Sequence, residues 1–110
     1  MPGKFLAEFE LYVMLAIAQK GDDAYGAVVR QEIEARTGRP VSIGALYATL
    51  ARLEAKGLIT LRTARQLAGQ RGRARRYCRL TPRGQEALRH STTMLARMMD
   101  GLRLVPGAQK

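Results

Sequence analysis

Tryptophan is missing from this chain, and cysteine appears once, as Cys78. A lone thiol closes no internal disulfide and supplies no metal-ligand pair, which fits a reducing compartment. Hydrophobic runs are short as well. None is long and clean enough to span a bilayer, and Glu8 and Glu10, early in the first helix, do not fit a signal-peptide layout. A cytoplasmic protein with no membrane contact is expected. Histidine also occurs once, and His90 has no Cys, Asp or Glu grouped with it at metal-ligand or triad spacing. No glycine loop combines with Lys and Ser/Thr to cradle nucleotide phosphates. These absences argue against an enzyme, a metal centre and any bound cofactor.

Carboxylates are the remaining scarcity: 9 Asp and Glu stand against 19 Lys and Arg, a formal net charge of +10. Arginine dominates the excess, and its planar fork suits phosphates and guanine edges, so a polyanion is the leading partner. At 110 residues there is room for one domain with a modest core. The stretch around which the rest is arranged runs from Ser42 to Lys56. Ile43, Leu46, Leu50 and Leu53, three or four apart, predict an inward stripe on a helix. The other faces carry Ser42, Gly44, Ala45, Ala48 and Arg52, with Tyr47 and Thr49 on the flanks. A solvated face normally carries Glu and Lys, which add helix propensity and i,i+4 pairing. Small side chains instead let a backbone come close to a partner. Gly57 then stops the helix, and Leu58 to Arg65 reads as a strand.

Upstream, Leu6 to Gln19 is apolar over most of its girth. Phe5, Phe9, Tyr12 and Ala16 make one stripe, and Leu6, Val13 and Ile17 fill the adjoining face. Such width predicts burial on two sides, against the domain and against something else. The turn from Lys20 to Asp23 offers an Asp as cap for a helix from Ala24 to Arg36. Tyr25, Val29 and Ile33 should face the core there, with Arg30, Gln31, Glu34 and Arg36 in solvent. Downstream, Arg62 to Arg79 reads as strand, glycine-bearing loop and returning strand, with Tyr77 and Leu80 on the inward side or Tyr77 left to meet a phosphate. Between Arg52 and Arg83 nearly the whole net charge is gathered, with Glu54 the only anion. Phosphates would relieve the repulsion in such a hairpin. The bland alternative is a solvated basic loop.

Thr81 and Pro82 form an N-cap and N1 pair opening a last helix to about Leu104. Leu88, Leu95 and Leu102 recur every seven residues beside Met94, Met98 and Met99, a Met-rich seam. This seam packs either on the first helix or, as we expect, on a second copy of the chain. The expected organisation is mainly α with a small β-hairpin. A winged helix-turn-helix over residues 1–81 is followed by a dimerisation helix over 82–105 and a disordered tail over 106–110.

The stretches FELYVMLAIAQKGDDAYGAVV, VSIGALYATLARLEAKGLI and RGRARRYCRLTPRG together resemble the PadR family of winged-helix transcriptional regulators. Asp23-Ala24-Tyr25-Gly26, Ala45-Leu46-Tyr47, Lys56-Gly57-Leu58-Ile59 and Tyr77 before Leu80-Thr81-Pro82 carry the likeness. It implies a homodimeric repressor on a palindromic operator, with one helix in the major groove and the wing beside it. The chain is similar to the short subgroup with a single C-terminal dimerisation helix, some of whose members bind planar or phenolic ligands at the dimer interface. Without tryptophan, indole stacking on a flat molecule is excluded. Phe5, Phe9 and Met98 could line an apolar cavity for a small apolar or aromatic ligand, or simply pack. The DNA-contacting set expected is Tyr25, Ser42, Gly44, Ala45, Tyr47, Thr49, Arg52, Arg71, Arg73 and Arg75, with the hydroxyls of Tyr25 and Tyr47 available to phosphate. The dimer set is Phe5, Phe9, Leu88, Leu95, Met98, Met99 and Leu102. Two other classes share some of these features: a basic RNA- or ribosome-binding module, and a protein-interaction winged helix.

Overall fold

The computed structural model describes residues 6–64 and 75–104, so Phe5, Arg71, Arg73 and the tail 106–110 lie outside the described residues. Helix α1 (Glu8–Lys20) leads through a 3₁₀ turn at Gly21–Asp23 to α2 (Gly26–Thr37) and α3 (Ile43–Ala55). An antiparallel hairpin of β1 (Ile59–Ala64) and β2 (Arg75–Leu80) follows, then α4 (Pro82–Met99). Mainly helical architecture with one small hairpin is thus what the sequence predicts.

Side-chain period and hairpin register place the core. Val13, Met14 and Ile17 of α1 meet Val29 and Ile33 of α2, and Leu46, Leu50 and Leu53 of α3. Ile59 pairs with Leu80 and Leu61 with Cys78, which puts all four on the face turned to the helices. Cys78 and Leu80, not Tyr77, are therefore the inward residues of β2. Burial pushes the Cys78 thiol up to about 11, so it is a packed, unreactive side chain at neutral pH.

Local chemistry sets the element ends. Ser42 Oγ accepts from the Ala45 amide (3.0 Å) to cap α3. At its other end Gly57 takes φ +78°. The Leu58 amide returns to Leu53 O (3.0 Å) and the Gly57 amide to Glu54 O (2.9 Å), a paired closure that a left-handed glycine permits. Thr81 Oγ1 accepts from the Gly84 amide (2.9 Å) and donates to Gly57 O (2.7 Å), so the cap of α4 is also its attachment to the α3–β1 turn.

Several expectations are corrected. Helix α2 begins at Gly26 with Tyr25 at the N-cap and no side-chain cap, while Asp22 and Asp23 belong to the 3₁₀ turn. The reason is strand pairing: Cys78 donates its amide to Ala24 O (2.7 Å) and Tyr25 bridges to Tyr77, which holds Ala24 and Tyr25 extended and leaves Tyr25 half-buried. Arg30 and Glu34 are not idle solvent residues. Arg30 Nε donates to Val41 O and Glu34 accepts from the Val41 amide, both at 2.8 Å, which pins the α2–α3 turn. Helix α4 ends at Met99, five residues short of Leu104, where Gly101 at φ +81° turns the chain.

Glu10 shows how α1 is anchored. It is 4% exposed, yet its carboxylate accepts from the Ala7 amide (3.0 Å) and from Lys56 Nζ (2.9 Å), with Arg52 Nε at 3.7 Å. Burial pushes its pKa up. The Lys56 and Ala7 hydrogen bonds and the charges of Lys56 and Arg52 outweigh that and hold it below the ordinary value. A depressed carboxylate contributes stability above the unfolded-state pKa and loses it as pH falls through the folded value. Glu10→Gln is expected to lower neutral-pH stability by about 1–2 kcal/mol, since Lys56 loses a charged partner but can still reach water. It should also flatten the fall in stability between about pH 5 and 3. Urea titrations at several pH values check both.

Candidate nucleic-acid interface

Helix α3 buries Leu46, Thr49, Leu50 and Leu53 and turns its other sides outward. The outward positions include Gly44, Ala45, Ala48, Ala51 and Ala55, all small, with Ser42 at the tip. Ile43 was expected inside but is 57% exposed, because the first turn of α3 projects past the edge of the core. Thr49 is the converse correction. It is 1% exposed, with its hydroxyl accepting from Arg52 Nη2 (2.9 Å), and so it is turned away from any groove. Arg52 remains more than half exposed, although tethered to Thr49 and near Glu10.

Beside this face, tyrosines and arginines alternate. Tyr25 and Tyr77 meet edge to face, with centroids 5.5 Å apart. The guanidinium of Arg75 lies 4.5 Å from the Tyr25 ring centre, Arg62 5.1 Å from Tyr77, and Arg76 5.6 Å from Tyr47. Tyr47 is seated where α2 has no side chain: a Cβ on Gly26 would stand 2.2 Å from its hydroxyl oxygen. Arg76 of β2 thus reaches over a ring of α3, and hairpin and helix are joined on one side of the molecule. Among the described residues no carboxylate pairs with Arg62, Arg75 or Arg76, whereas Arg79 pairs with Asp22 at 3.2 Å. In the sequence Arg62 and Arg76 counted only as charge. The role of Arg62 follows from cross-strand register, since it lies opposite Tyr77, and that of Arg76 from the packing of β2 beside α3; no local pattern reveals either.

The expected dimer residues separate into two groups. Leu88 is 9% exposed and belongs to the subunit's own core, a correction that follows from its place one turn beyond buried Gly84. Leu95, Met98, Met99 and Leu102 are exposed by 46 to 80%. Phe9 is half-buried and lines a cleft of about 330 Å³ with Tyr12, Pro40 and Val41, while Met98 is not part of it. Among the described residues no three His, Cys, Asp or Glu side chains gather as metal ligands, and no helix is long and apolar enough to cross a membrane.

A pinned helix–turn–helix, a lean second helix and an arginine-bearing hairpin beside it define a winged helix-turn-helix of the DNA-binding kind. The chain belongs to the PadR-like family of transcriptional regulators, whose model matches residues 14–90. It is similar to transcriptional regulator Rv3488 of Mycobacterium tuberculosis, 43% identical over 86 residues that span 73% of each chain. Among solved structures it is similar to a PadR family transcriptional regulator from Eggerthella lenta, at 28% identity and TM-score 0.64, covering 86% of this chain and 83% of that one. RosR of H. salinarum shares the fold at TM-score 0.68 and 21% identity, over 89% of this chain and 81% of the other. The protein is a DNA-binding transcriptional regulator.

Proposed function

We propose that the protein acts as a homodimer on an inverted-repeat operator and represses by occupying it. The DNA-facing part of this reading is supported by the Arg76–Tyr47 contact, which sets the hairpin beside α3, and the pairing part by the exposed apolar end of α4. The outer face of α3 offers apolar contacts from Ile43, Ala45 and Ala48, which suit thymine methyl groups better than hydrogen-bonded base edges. One helix reads few base pairs, so useful specificity calls for two half-sites about one helical turn apart. Repression by occlusion is the simplest outcome for a module whose described elements are given to DNA and to pairing. A cleft of about 720 Å³ beside α1, β2 and α4, lined by Leu15, Ile17, Leu80 and Leu88 together with Asp22, Arg79 and Arg89, offers room for a small aromatic effector whose binding would alter the pairing angle.

Selection of bound duplexes from a random pool tests this. An inverted repeat is expected, bound with a slope of log K against log salt steeper than about −5, as for six or more neutralised phosphates. Salt-indifferent binding, or enrichment without symmetry, would reject the reading.

A further inference from the structure

We propose that Arg62, Arg75 and Arg76 form a phosphate clamp pre-organised by stacking, in which each tyrosine ring holds the flat face of a guanidinium and leaves its N–H edge for the DNA backbone. The proposal rests on the DNA-binding reading above and names residues, Arg62 and Arg76, that charge counting alone does not single out.

The geometry divides the guanidinium between two partners. An aromatic ring attracts the face of the cation through its quadrupole, whereas phosphate oxygens approach in the plane of the N–H groups. Stacking therefore leaves the in-plane N–H groups to other partners; on Arg75 part of that edge meets the Tyr77 hydroxyl, a hydrogen bond that raises its pKa, and the rest is left for phosphate. Tyr25 carries Arg75 at 4.5 Å, Tyr77 carries Arg62 at 5.1 Å, and Tyr47 carries Arg76 at 5.6 Å. The rings are themselves fixed: Tyr25 and Tyr77 lean on each other at 62°, and Tyr47 rests against Gly26. An exposed arginine normally loses rotamer freedom when it grips a phosphate, and one already held by a ring loses less. Lysine has the same charge but no planar face, so the clamp predicts that charge alone is not enough. Tyr25 and Tyr47 then act as positioning residues through their rings, a role different from donating a hydroxyl to phosphate.

The test uses the full chain and a duplex that the unaltered protein retains from the random pool. Arg75→Lys and Arg76→Lys should each weaken binding about three- to ten-fold, the loss expected for one newly immobilised side chain. The salt slope should not change, because no charge is removed. Tyr25→Leu removes no charge either, yet should weaken binding to a similar degree, and Tyr25→Phe should recover most of that loss. Combined Tyr25→Leu and Arg75→Lys should cost less than the sum of the two, as coupled groups do. Thermal unfolding of each variant separates lost folding from lost binding, and the lysine variants change only exposed side chains. Lysine variants that bind as tightly as the parent would overturn the clamp while leaving the DNA-binding reading intact. So would a Tyr25→Phe variant as weak as Tyr25→Leu, since the hydroxyl would then be the active group. A parent protein whose binding ignores salt would overturn both.

Discussion

Gly84→Ala is expected to destabilise the fold by about 3 kcal/mol or more, although alanine is ordinarily the better helix former. A Cβ at position 84 would stand 2.0 Å from Leu58 O and 2.9 Å from Leu58 C. That neighbour is backbone, and it cannot retreat cheaply. The same Leu58 carbonyl accepts from the Thr81 amide at 3.0 Å, the Leu58 amide closes the end of α3, and Thr81 Oγ1 donates to Gly57 O. Relief of the clash would break the stop of α3, the start of β1 or the cap of α4. Gly44→Ala is the internal control. Nothing lies within 4 Å of its would-be Cβ, so this variant should gain about 0.5–1 kcal/mol from helix propensity. Urea unfolding should therefore show midpoints shifted in opposite directions by the same chemical change. Equal shifts would mean that α4 does not approach the α3–β1 turn as described.

The opposite behaviour of these two glycines marks what a sequence can and cannot reveal. Signals carried within one turn were legible: the Ser42 cap, the Gly57 stop, the Thr81–Pro82 start and the hairpin between them all depend on a few adjacent residues. The lean outer face of α3 was legible because composition alone betrays it. What failed depended on partners far along the chain. The burial of Glu10 has no signal in its own turn, because its partner Lys56 is 46 residues away. Ala24 and Tyr25 looked helical, and the strand that holds them extended lies beyond the wing. Period alone also left the edge of the core ambiguous on α3. Hydropathy favoured Ile43 over Thr49 as a core residue, yet a threonine with its hydroxyl satisfied by Arg52 fills the interior while the isoleucine projects past it. The ring-and-guanidinium alternation required the β1–β2 register as well as the sequence.

Leu95→Asp combined with Met98→Asp is expected to yield a folded monomer whose operator affinity is lower by about 100-fold or more. Neither side chain supports the subunit: they are 46% and 80% exposed, and the buried residues of α4 are Gly84 and Leu88, both nearer its start. Such surface changes cost the fold little beyond some helix propensity. Each, however, sets a charge into the apolar face that we propose joins two subunits, where a carboxylate without a partner is costly. Once the pair is broken, the second half-site no longer binds as an intramolecular event at high effective concentration. The salt slope should fall to about half, because each subunit then neutralises only its own phosphates. Light scattering gives the mass and circular dichroism the helix content. Leu88→Ala should do something different, since that residue is 9% exposed in the core: it should lower stability by about 2–3 kcal/mol with no direct effect on pairing. If the double aspartate variant kept both its mass and its affinity, the outer end of α4 would not be the pairing surface. Loss of mass with full affinity retained would show that one subunit reads the operator alone.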